Sequence, residues 1–299
     1  MRVLVTGGGG FLGAWMVKRL LARGAEVRVL DVTPERRTVR EIAGPAADRL
    51  EWVVGDVADA ATVDAAVRGC SAVAHIAGVL TPVCRADPVR GAQINLMGTL
   101  YVFEAARRHG VRRIAYTSSA GVYAIDHGRH PDPSTHYGAF KLAGEGSARA
   151  YWEDARMPSL GLRPLVIYGP GREGGPSAGV SVACRAAVEG RPYTIPFSGR
   201  SGFVFVDDVA AALELGLTAI DEGAHVYAMK GEVTTVEQII AAIRRLVPGA
   251  ELSCEGKPIW LTTEFDDSAL QRDHPELHRT GIDEGMARTV AHYRALAAA

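Results

Sequence analysis

Apolar and polar positions alternate in a regular way along the first 165 residues of the 299-residue chain. Short apolar runs, typical of strands buried on both faces, alternate with longer stretches whose apolar positions have helical spacing. Repeated βα units of this length predict an α/β fold with a Rossmann-type, doubly wound parallel sheet. The predicted strands are residues 3–5, 26–30, 50–54, 72–76, 112–117, 160–162 and 225–229, and the predicted helices are residues 11–23, 35–43, 60–68, 87–109 and 136–155.

Gly and Pro become frequent after residue 167, and the regular alternation ends. A predicted strand at 203–206 leads into a helix, running to Thr218, that we expect Asp207 or Asp208 to cap. The other predicted helices are 181–189, 236–246 and 283–296. These elements predict a second, smaller mixed α/β substrate domain beside the cofactor domain. The two expected domains are residues 1–167 with 203–231 for the cofactor and residues 168–202 with 232–299 for the substrate.

The first predicted strand is followed by four glycines and a helix, which is the order that a dinucleotide-binding fingerprint requires. Gly8, Gly10 and Gly13 fit G-x-G-x-x-G, whereas Gly7, Gly10 and Gly13 fit T-G-x-x-G-x-x-G, so the register stays open. Glycines permit the tight turn and let a pyrophosphate approach the backbone. The N–H groups and dipole of the next helix then hold the anion.

The second predicted strand runs into Asp31, 23 residues after Gly8. An acid at this position accepts hydrogen bonds from the adenosine ribose and repels a 2′-phosphate, which favours NAD over NADP as the cofactor. Arg36 and Arg37 keep NADP open as the alternative, because an arginine close to the ribose accommodates a 2′-phosphate.

Composition narrows the class of protein further. Hydrophobic residues make up 47% of the chain, enough for a sizeable core, and the net charge of −1 gives no reason to expect nucleic acid or a membrane surface as a partner. The four cysteines are scattered without a C-x-x-C pair, and no His/Cys/Asp cluster has metal-ligand spacing. We therefore expect reduced thiols, no metal, no membrane span and a cytoplasmic location.

Tyr137 and Lys141 stand four residues apart in a predicted helix, so their side chains share one face. This spacing often arises by chance, and a surface tyrosine beside a solvated lysine is the alternative interpretation. The predicted strand 112–117 runs into Ser118 and Ser119. Because the carboxyl ends of parallel strands face the cofactor crevice, a serine there is placed to hydrogen-bond a substrate oxygen.

With these residues the chain resembles the extended short-chain dehydrogenase/reductase superfamily, in its NAD-dependent epimerase/dehydratase-like branch. The resemblance covers nearly the whole chain. The similar segments are the phosphate loop at 6–13, an adenine-contacting aspartate segment at 55–57, the loop under the cofactor at 75–78, Asn-x-x-Gly-Thr at 95–99, the catalytic-serine strand at 117–123, the crossing segment 163–164 with 168–171, and Val-x-Asp-Val at 206–209.

The resemblance implies a catalytic role for each of three residues. Tyr137 takes the proton from a substrate alcohol as hydride leaves for the nicotinamide. Lys141 supports Tyr137 and holds the nicotinamide ribose, and Ser119 orients the substrate oxygen. The expected cofactor contacts are Gly7, Gly10, Phe11, Leu12, Gly13, Asp31, Asp56, Val57, Ala77, Gly78, Asn95, Tyr137, Lys141 and Pro164.

A free tyrosine has a pKa of about 10, so base catalysis near pH 7 requires the pKa to fall by about 3 units. One neighbouring lysine supplies about 1–3 units. We therefore expect Lys141 to need the positive charge of the oxidised cofactor as well.

Substrate contacts are expected at Thr81, Ser119, Tyr137, Arg172 and Arg200. Among the arginines of the second domain, Arg172, Arg185 and Arg200 are candidates for binding an anionic substrate group. Several other polar residues are expected to have ordinary structural positions. These are His75 at a strand end, Cys84 as a packing residue, and His127, His130 and His136 facing solvent.

The favoured function is an NAD-dependent dehydrogenase that acts on a secondary alcohol of a small sugar-like or sugar-acid substrate. The alternative is an epimerase, for example of a nucleotide sugar, which uses the same residues through a transient ketone. A scaffold without chemistry is the third interpretation, disfavoured by the intact Ser-Tyr-Lys set. Family relationship also implies a homodimer formed by the helical segments 87–109 and 136–155.

Three departures from the family pattern favour the dehydrogenase over a dehydratase or a sugar-nucleotide epimerase. Ala120-Gly121 replaces the Asp-Glu pair that dehydratases carry, so dehydration is disfavoured. Tyr137 stands only 14 positions after Tyr123, a shorter spacing than in typical nucleotide-sugar epimerases. Leu162-Arg163-Pro164 stands where sugar-nucleotide epimerases often have a Phe-Asn pair.

Overall fold

The computed structural model describes residues 1–123, 130–259 and 261–298, so the prediction for His127 lies outside the described residues. The strands, numbered in chain order, are β1 (Arg2–Thr6), β2 (Glu26–Asp31), β3 (Glu51–Val54), β4 (Ala72–His75), β5 (Ile114–Thr117), β6 (Ser159–Pro164), β7 (Val166–Tyr168), β8 (Tyr193–Ile195), β9 (Arg200–Phe205), β10 (Ala224–Met229), β11 (Glu232–Thr235) and β12 (Leu252–Cys254).

The α-helices are α1 (Phe11–Ala22), α2 (Arg37–Ala43), α3 (Ala60–Val67), α4 (Thr81–Ala86), α5 (Pro88–Ala92), α6 (Gly98–Arg108), α7 (His136–Ala155), α8 (Gly179–Val188), α9 (Val206–Thr218), α10 (Val236–Leu246), α11 (Ser268–Asp273) and α12 (Ile282–Ala297). The long helix predicted at 87–109 is instead α5 and α6 joined by a π-helical stretch, Gln93–Met97. No helix in the described ranges has the length and apolar composition that crossing a bilayer requires.

Seven parallel strands form the main sheet, in the order β10-β6-β5-β4-β1-β2-β3. Successive residues of β1 point to opposite faces, so Val3 and Val5 join one apolar cluster and Leu4 joins the other. Helices α1 and α9 cover the first face, and α3 and α6 cover the second. The predicted Rossmann-type sheet is confirmed.

The strand order reverses between β1 and β4, which are adjacent although β2 and β3 lie between them in sequence. In open α/β sheets, ligands bind outside the carboxyl ends of the strands at such a switch point. The residues after β1, β4 and β5 therefore face the crevice where a ligand is expected.

Two smaller sheets involve the rest of the chain. Strand β9 pairs in parallel with β7 and antiparallel with β11, while β8 pairs in parallel with β12. Helices α8, α10 and α12 pack on one another beside these sheets. The predicted domain boundaries after residues 167 and 202 fall inside β7 and β9, and the division of the chain into two domains stays a prediction.

The predicted cap of α9 is wrong. The helix begins one residue before Asp207, with Phe205 as its N-cap residue. Asp207 forms ion pairs with Arg19 and Arg288, and Asp208 accepts hydrogen bonds from Thr280. Both carboxylates are used to hold neighbouring elements against α9 instead of closing its first turn.

Candidate active site

The glycine loop between β1 and α1 has the geometry that close approach of a ligand requires. Gly7 has φ +68° and its N–H bonds to the Leu30 carbonyl at 2.8 Å. Gly10 is the N-cap residue of α1, and a Cβ on Gly13 would lie 2.2 Å from the Gly7 oxygen. The loop therefore has the T-G-x-x-G-x-x-G register.

The first turn of α1 contains Phe11, Leu12 and Gly13, whose backbone N–H groups have no partner within the helix. Phe11 is half-buried and Leu12 is buried. Gly13 lets α1 pack directly against the backbone of the glycine loop, and the free N–H groups of this turn fit the pyrophosphate of a dinucleotide.

Asp31 ends β2 beside this loop, and its Oδ2 accepts a hydrogen bond from the Gly9 N–H at 2.9 Å. The two arginines that kept NADP open are both engaged elsewhere. The Arg36 guanidinium lies 4.9 Å from the centre of the Trp52 ring, and Arg37 Nη2 lies 2.6 Å from Glu173 Oε2. The carboxylate of Asp31 is thus the group presented at the strand end.

Asp56 and Val57 follow β3, where an adenine contact is expected. Asp56 Oδ1 accepts a hydrogen bond from Ala58 N–H at 2.8 Å, and its other oxygen pairs with Arg90. Val57 is buried against Gly98. The turn hydrogen bond to Ala58 and the ion pair with Arg90 hold this segment beside the edge of the main sheet.

Asn95 holds the loop after β4 by hydrogen bonds to its backbone. The Asn95 amide accepts a hydrogen bond from Val79 N–H at 3.0 Å and donates one to the Val79 carbonyl at 2.9 Å. Ala77 N–H donates to the Thr6 hydroxyl at 3.2 Å, and a Cβ on Gly78 would lie 2.7 Å from Asn95 Oδ1. Asn95 therefore positions the loop through its backbone, while Ala77 and Gly78 remain next to the crevice.

His75, for which a structural role is predicted, is buried between two threonines. One ring nitrogen lies 2.8 Å from the Thr6 hydroxyl and the other 3.0 Å from the Thr99 hydroxyl. Burial, with the nearby Lys141 cation, lowers the pKa of His75 to about 3. The ring is neutral at physiological pH and ties β1 and β4 to α6.

Ser119, Tyr137 and Lys141 come together at the carboxyl end of β5. Thr135 caps α7 by accepting a hydrogen bond from Gly138 N–H at 3.0 Å, which starts the helix just before Tyr137. Ser119 Oγ and the Tyr137 ring both border Gly121, where an added Cβ would lie 3.2 Å from the hydroxyl oxygen and 3.5 Å from the ring. Lys141 Nζ donates to the Thr117 carbonyl at 2.8 Å.

An unexpected residue, Arg172, contributes to the electrostatic environment of Tyr137. Burial raises the pKa of Tyr137, opposed by the hydrogen bond from Ser119 and by the Arg172 cation. Lys141 Nζ lies 5.8 Å from the centre of the Tyr137 ring, and burial lowers its own pKa to about 8. Arg172 and Lys141 are thus both cations near Tyr137, and the charge of Arg172 favours the tyrosinate.

The substrate-contact candidates occupy different places. Arg172 donates to the Ser177 hydroxyl at 2.9 Å and lies 5.8 Å from the centre of the Phe11 ring, inside the crevice. Thr81 begins α4 and lines a cavity of about 360 Å³ next to the start of α7. Arg200 is exposed at the start of β9, opposite Thr235. The structure therefore places Arg172 beside Phe11, Thr81 beside the start of α7, and Arg200 on a different sheet.

The remaining candidates are quickly placed. Arg185 pairs with Glu173 and Glu189 on the surface of α8. Pro164 is buried at the end of β6, Cys84 is buried in α4, and His130 and His136 are exposed as predicted.

Sequence reasoning missed Glu145, which lies on the same face of α7 as Tyr137 and Lys141. Its carboxylate accepts hydrogen bonds from Ser118 and from two nitrogens of Arg163. Arg163 also donates to the Tyr123 hydroxyl at 3.0 Å. The spacing of 137, 141 and 145 was the available signal, since i, i+4 and i+8 share a helix face.

Comparisons of sequence and of structure with known proteins give relatives of the same type. The profile of the NAD-dependent epimerase/dehydratase family matches residues 3–229. UDP-glucose 4-epimerase of Mycolicibacterium smegmatis is 30% identical over 98% of this chain and 99% of its own length.

Two solved structures have the same fold over nearly their whole length. The UDP-glucose 4-epimerase of Thermus thermophilus, in complex with NAD, is 28% identical, with a TM-score of 0.80, over 98% of this chain and 99% of that one. MoeE5 in complex with UDP-glucose and NAD is 27% identical, with a TM-score of 0.83, over 99% of this chain and all of that one.

Proposed function

The chain belongs to the NAD-dependent epimerase/dehydratase family, and from this premise we propose that it oxidises a secondary alcohol of a sugar or sugar acid, with Tyr137 as the general base. The observation that carries the proposal is that Ser119 and Tyr137 lie together beside Gly121, just after the end of β5. NAD, when bound, supplies the carbon that accepts the hydride.

The side chains act on the substrate oxygen. Tyr137 takes the hydroxyl proton, and Ser119 donates a hydrogen bond to the oxygen that becomes the carbonyl. Lys141, fixed by the Thr117 carbonyl, is placed to hold the nicotinamide ribose. Because burial raises the pKa of Tyr137, the cations Arg172 and Lys141 and the positive charge of the oxidised cofactor favour the proton transfer.

Binding of the dinucleotide is assigned to the residues around the switch point. The first turn of α1 and the glycines before it fit the pyrophosphate, and Asp31 fits the adenosine ribose. Ala77 and Gly78, positioned by Asn95, line the crevice next to β4. Asp56 and Val57 are placed for the adenine.

We propose a substrate with a negative charge close to the oxidised carbon. The Arg172 guanidinium acts directly on Tyr137, and its described hydrogen bonds go to a hydroxyl and a carbonyl oxygen, both neutral. A carboxylate next to the reacting carbon would neutralise this cation. A sugar acid provides such a group.

A sugar-nucleotide epimerase is the second candidate, because a UDP-glucose 4-epimerase matches 98% of this chain. The same residues would remove the proton, and the hydride would return to the opposite face of the ketone. We further propose that the chain works as a homodimer in the cytoplasm.

The test is to incubate the protein with NAD⁺ and a panel of neutral sugars, sugar acids and UDP-sugars. Absorbance at 340 nm records net NADH, and NMR of the sugar records epimers. Accumulating NADH with a sugar acid supports the dehydrogenase, and an epimer without NADH supports the second candidate. If neither product forms with any panel member, the proposed reaction is wrong.

A further inference from the structure

The segment that follows β7 crosses between the main sheet and the smaller ones and is held on three sides. Trp15 Nε1 of α1 donates to the Pro170 carbonyl at 3.0 Å, and Gly171 N–H donates to the Tyr293 hydroxyl of α12 at 3.1 Å. A Cβ on Gly171 would lie 3.3 Å from Ile42 of α2. The position of the next two residues is therefore well defined.

Arg172 and Glu173 point to opposite sides of this segment. Arg172 enters the crevice, while Glu173 faces α2 and α8. Its carboxylate binds Arg37 through two contacts, at 2.6 and 3.4 Å, and also pairs with Arg185. Glu173 thus holds an arginine that belongs to the cofactor-binding half of the molecule.

Arg37 starts α2 only six residues after Asp31, and the chain between them is compact. Asp31 accepts a hydrogen bond from Thr33 N–H, Thr33 from Glu35 N–H, and Glu35 from Arg37 N–H. An arginine in this region is what accommodates the 2′-phosphate of NADP. Arg37 is an arginine in the segment that makes this contact, but its guanidinium binds Glu173 instead.

We propose that Glu173 is a specificity-determining residue for the cofactor, which disfavours NADP by holding the Arg37 guanidinium away from the 2′-phosphate. A cavity of about 340 Å³, lined also by residues of α8, borders Arg37 and Glu173. The ion pair is partly exposed, with 61% of the Arg37 side chain accessible, so its effect is several-fold in size.

The experiment measures dissociation constants for NADP⁺ and NAD⁺ by isothermal titration calorimetry. Glu173→Gln is expected to tighten NADP⁺ binding about two- to fivefold and to leave NAD⁺ binding unchanged. The matched control is Glu189→Gln, which removes a carboxylate from Arg185 but none from Arg37. Arg37→Ala combined with Glu173→Gln is expected to abolish the gain.

The proposal is overturned if Glu173→Gln leaves NADP⁺ binding unchanged, if Glu189→Gln tightens it equally, or if the double variant keeps the gain. Wild-type protein that binds NADP⁺ as tightly as NAD⁺ also overturns it. These titrations need no substrate, so their outcome is independent of which sugar, if any, is oxidised.

Discussion

Two cations lie near Tyr137, and they contact different groups. Lys141 Nζ is bonded to the Thr117 carbonyl, whereas the charge of Arg172 acts on the phenol. The sequence motif predicted the lysine because Tyr-x-x-x-Lys is a local spacing. Arg172 reaches the site only because the crossing segment folds over the glycine loop, so its effect on Tyr137 depends on tertiary structure.

Replacing Arg172 with Met is expected to raise the KM for a sugar acid about 10- to 100-fold, because a charge-assisted hydrogen bond to the carboxylate is lost. Arg185→Met, on the surface of α8, is the control. Steady-state kinetics with a sugar acid and the matching neutral sugar provide the measurement. Equal losses for the two substrates would contradict a carboxylate contact.

His75 makes stability depend on pH. Its pKa is about 3 in the folded state and 6.5 when unperturbed, so the unfolded chain binds the extra proton first as pH falls. The contribution of neutral His75 is complete above pH 6.5 and decreases progressively below it. Urea unfolding of wild type and His75→Asn between about pH 7 and 4 is expected to show a shallower pH dependence for the variant. Parallel curves would contradict this account.

At the scale of elements, α7 carries two of the proposed catalytic residues and anchors them. Tyr137 and Lys141 face the crevice, and Glu145, one turn further, forms a buried ion pair with Arg163 of β6. Tyr123 then stacks on Phe265 with ring centres 4.6 Å apart. The same helix face thus links the cofactor crevice to the C-terminal part of the chain.

Glu145→Gln is expected to lower the free energy of unfolding by about 3–5 kcal/mol, because Arg163 is left buried without a countercharge. Urea titration provides the measurement. Glu145→Gln combined with Arg163→Met is the matched control and should recover part of the loss. A single variant as stable as wild type would show that the ion pair contributes little to folding.

Most strands of the main sheet could be predicted because an apolar run is followed by a glycine, acid or serine signal. The strands of the smaller sheets are only three to six residues long and lack a distinctive period. The prediction that an aspartate caps α9 was wrong because residues distant in sequence bind both aspartates. Aspartates near a helix start are typical caps, yet here Arg19, Arg288 and Thr280 compete for both carboxylates.

At the scale of the whole molecule, the fold, the NAD dependence and the family follow from short local motifs. Residues that connect distant segments do not, since Glu173 meets Arg37 across 136 positions and Glu145 meets Ser118 across 27. No periodicity or spacing encodes such pairs. The sequence therefore predicts which residues surround the cofactor better than it predicts which residues tune it.

The predicted homodimer belongs to this scale. Exposed Val89 and Met97 lie on the segment from α5 to α6, which is expected to pair with its copy together with α7. Analytical ultracentrifugation should give twice the mass of one chain for wild type and a shift towards monomer for Met97→Glu. Leu296→Glu, exposed on α12, is the control. A monomeric wild type would contradict the prediction.

The most direct test of the central claim compares Tyr137→Phe with wild type in a single turnover, using NAD⁺-loaded protein and the best substrate of the panel. Tyr151→Phe, which removes a hydroxyl from the same helix, is the control. Hydride transfer is predicted to slow about 10²- to 10⁴-fold in Tyr137→Phe, with NAD⁺ affinity unchanged. Equal rates in Tyr137→Phe and wild type would contradict Tyr137 as the base.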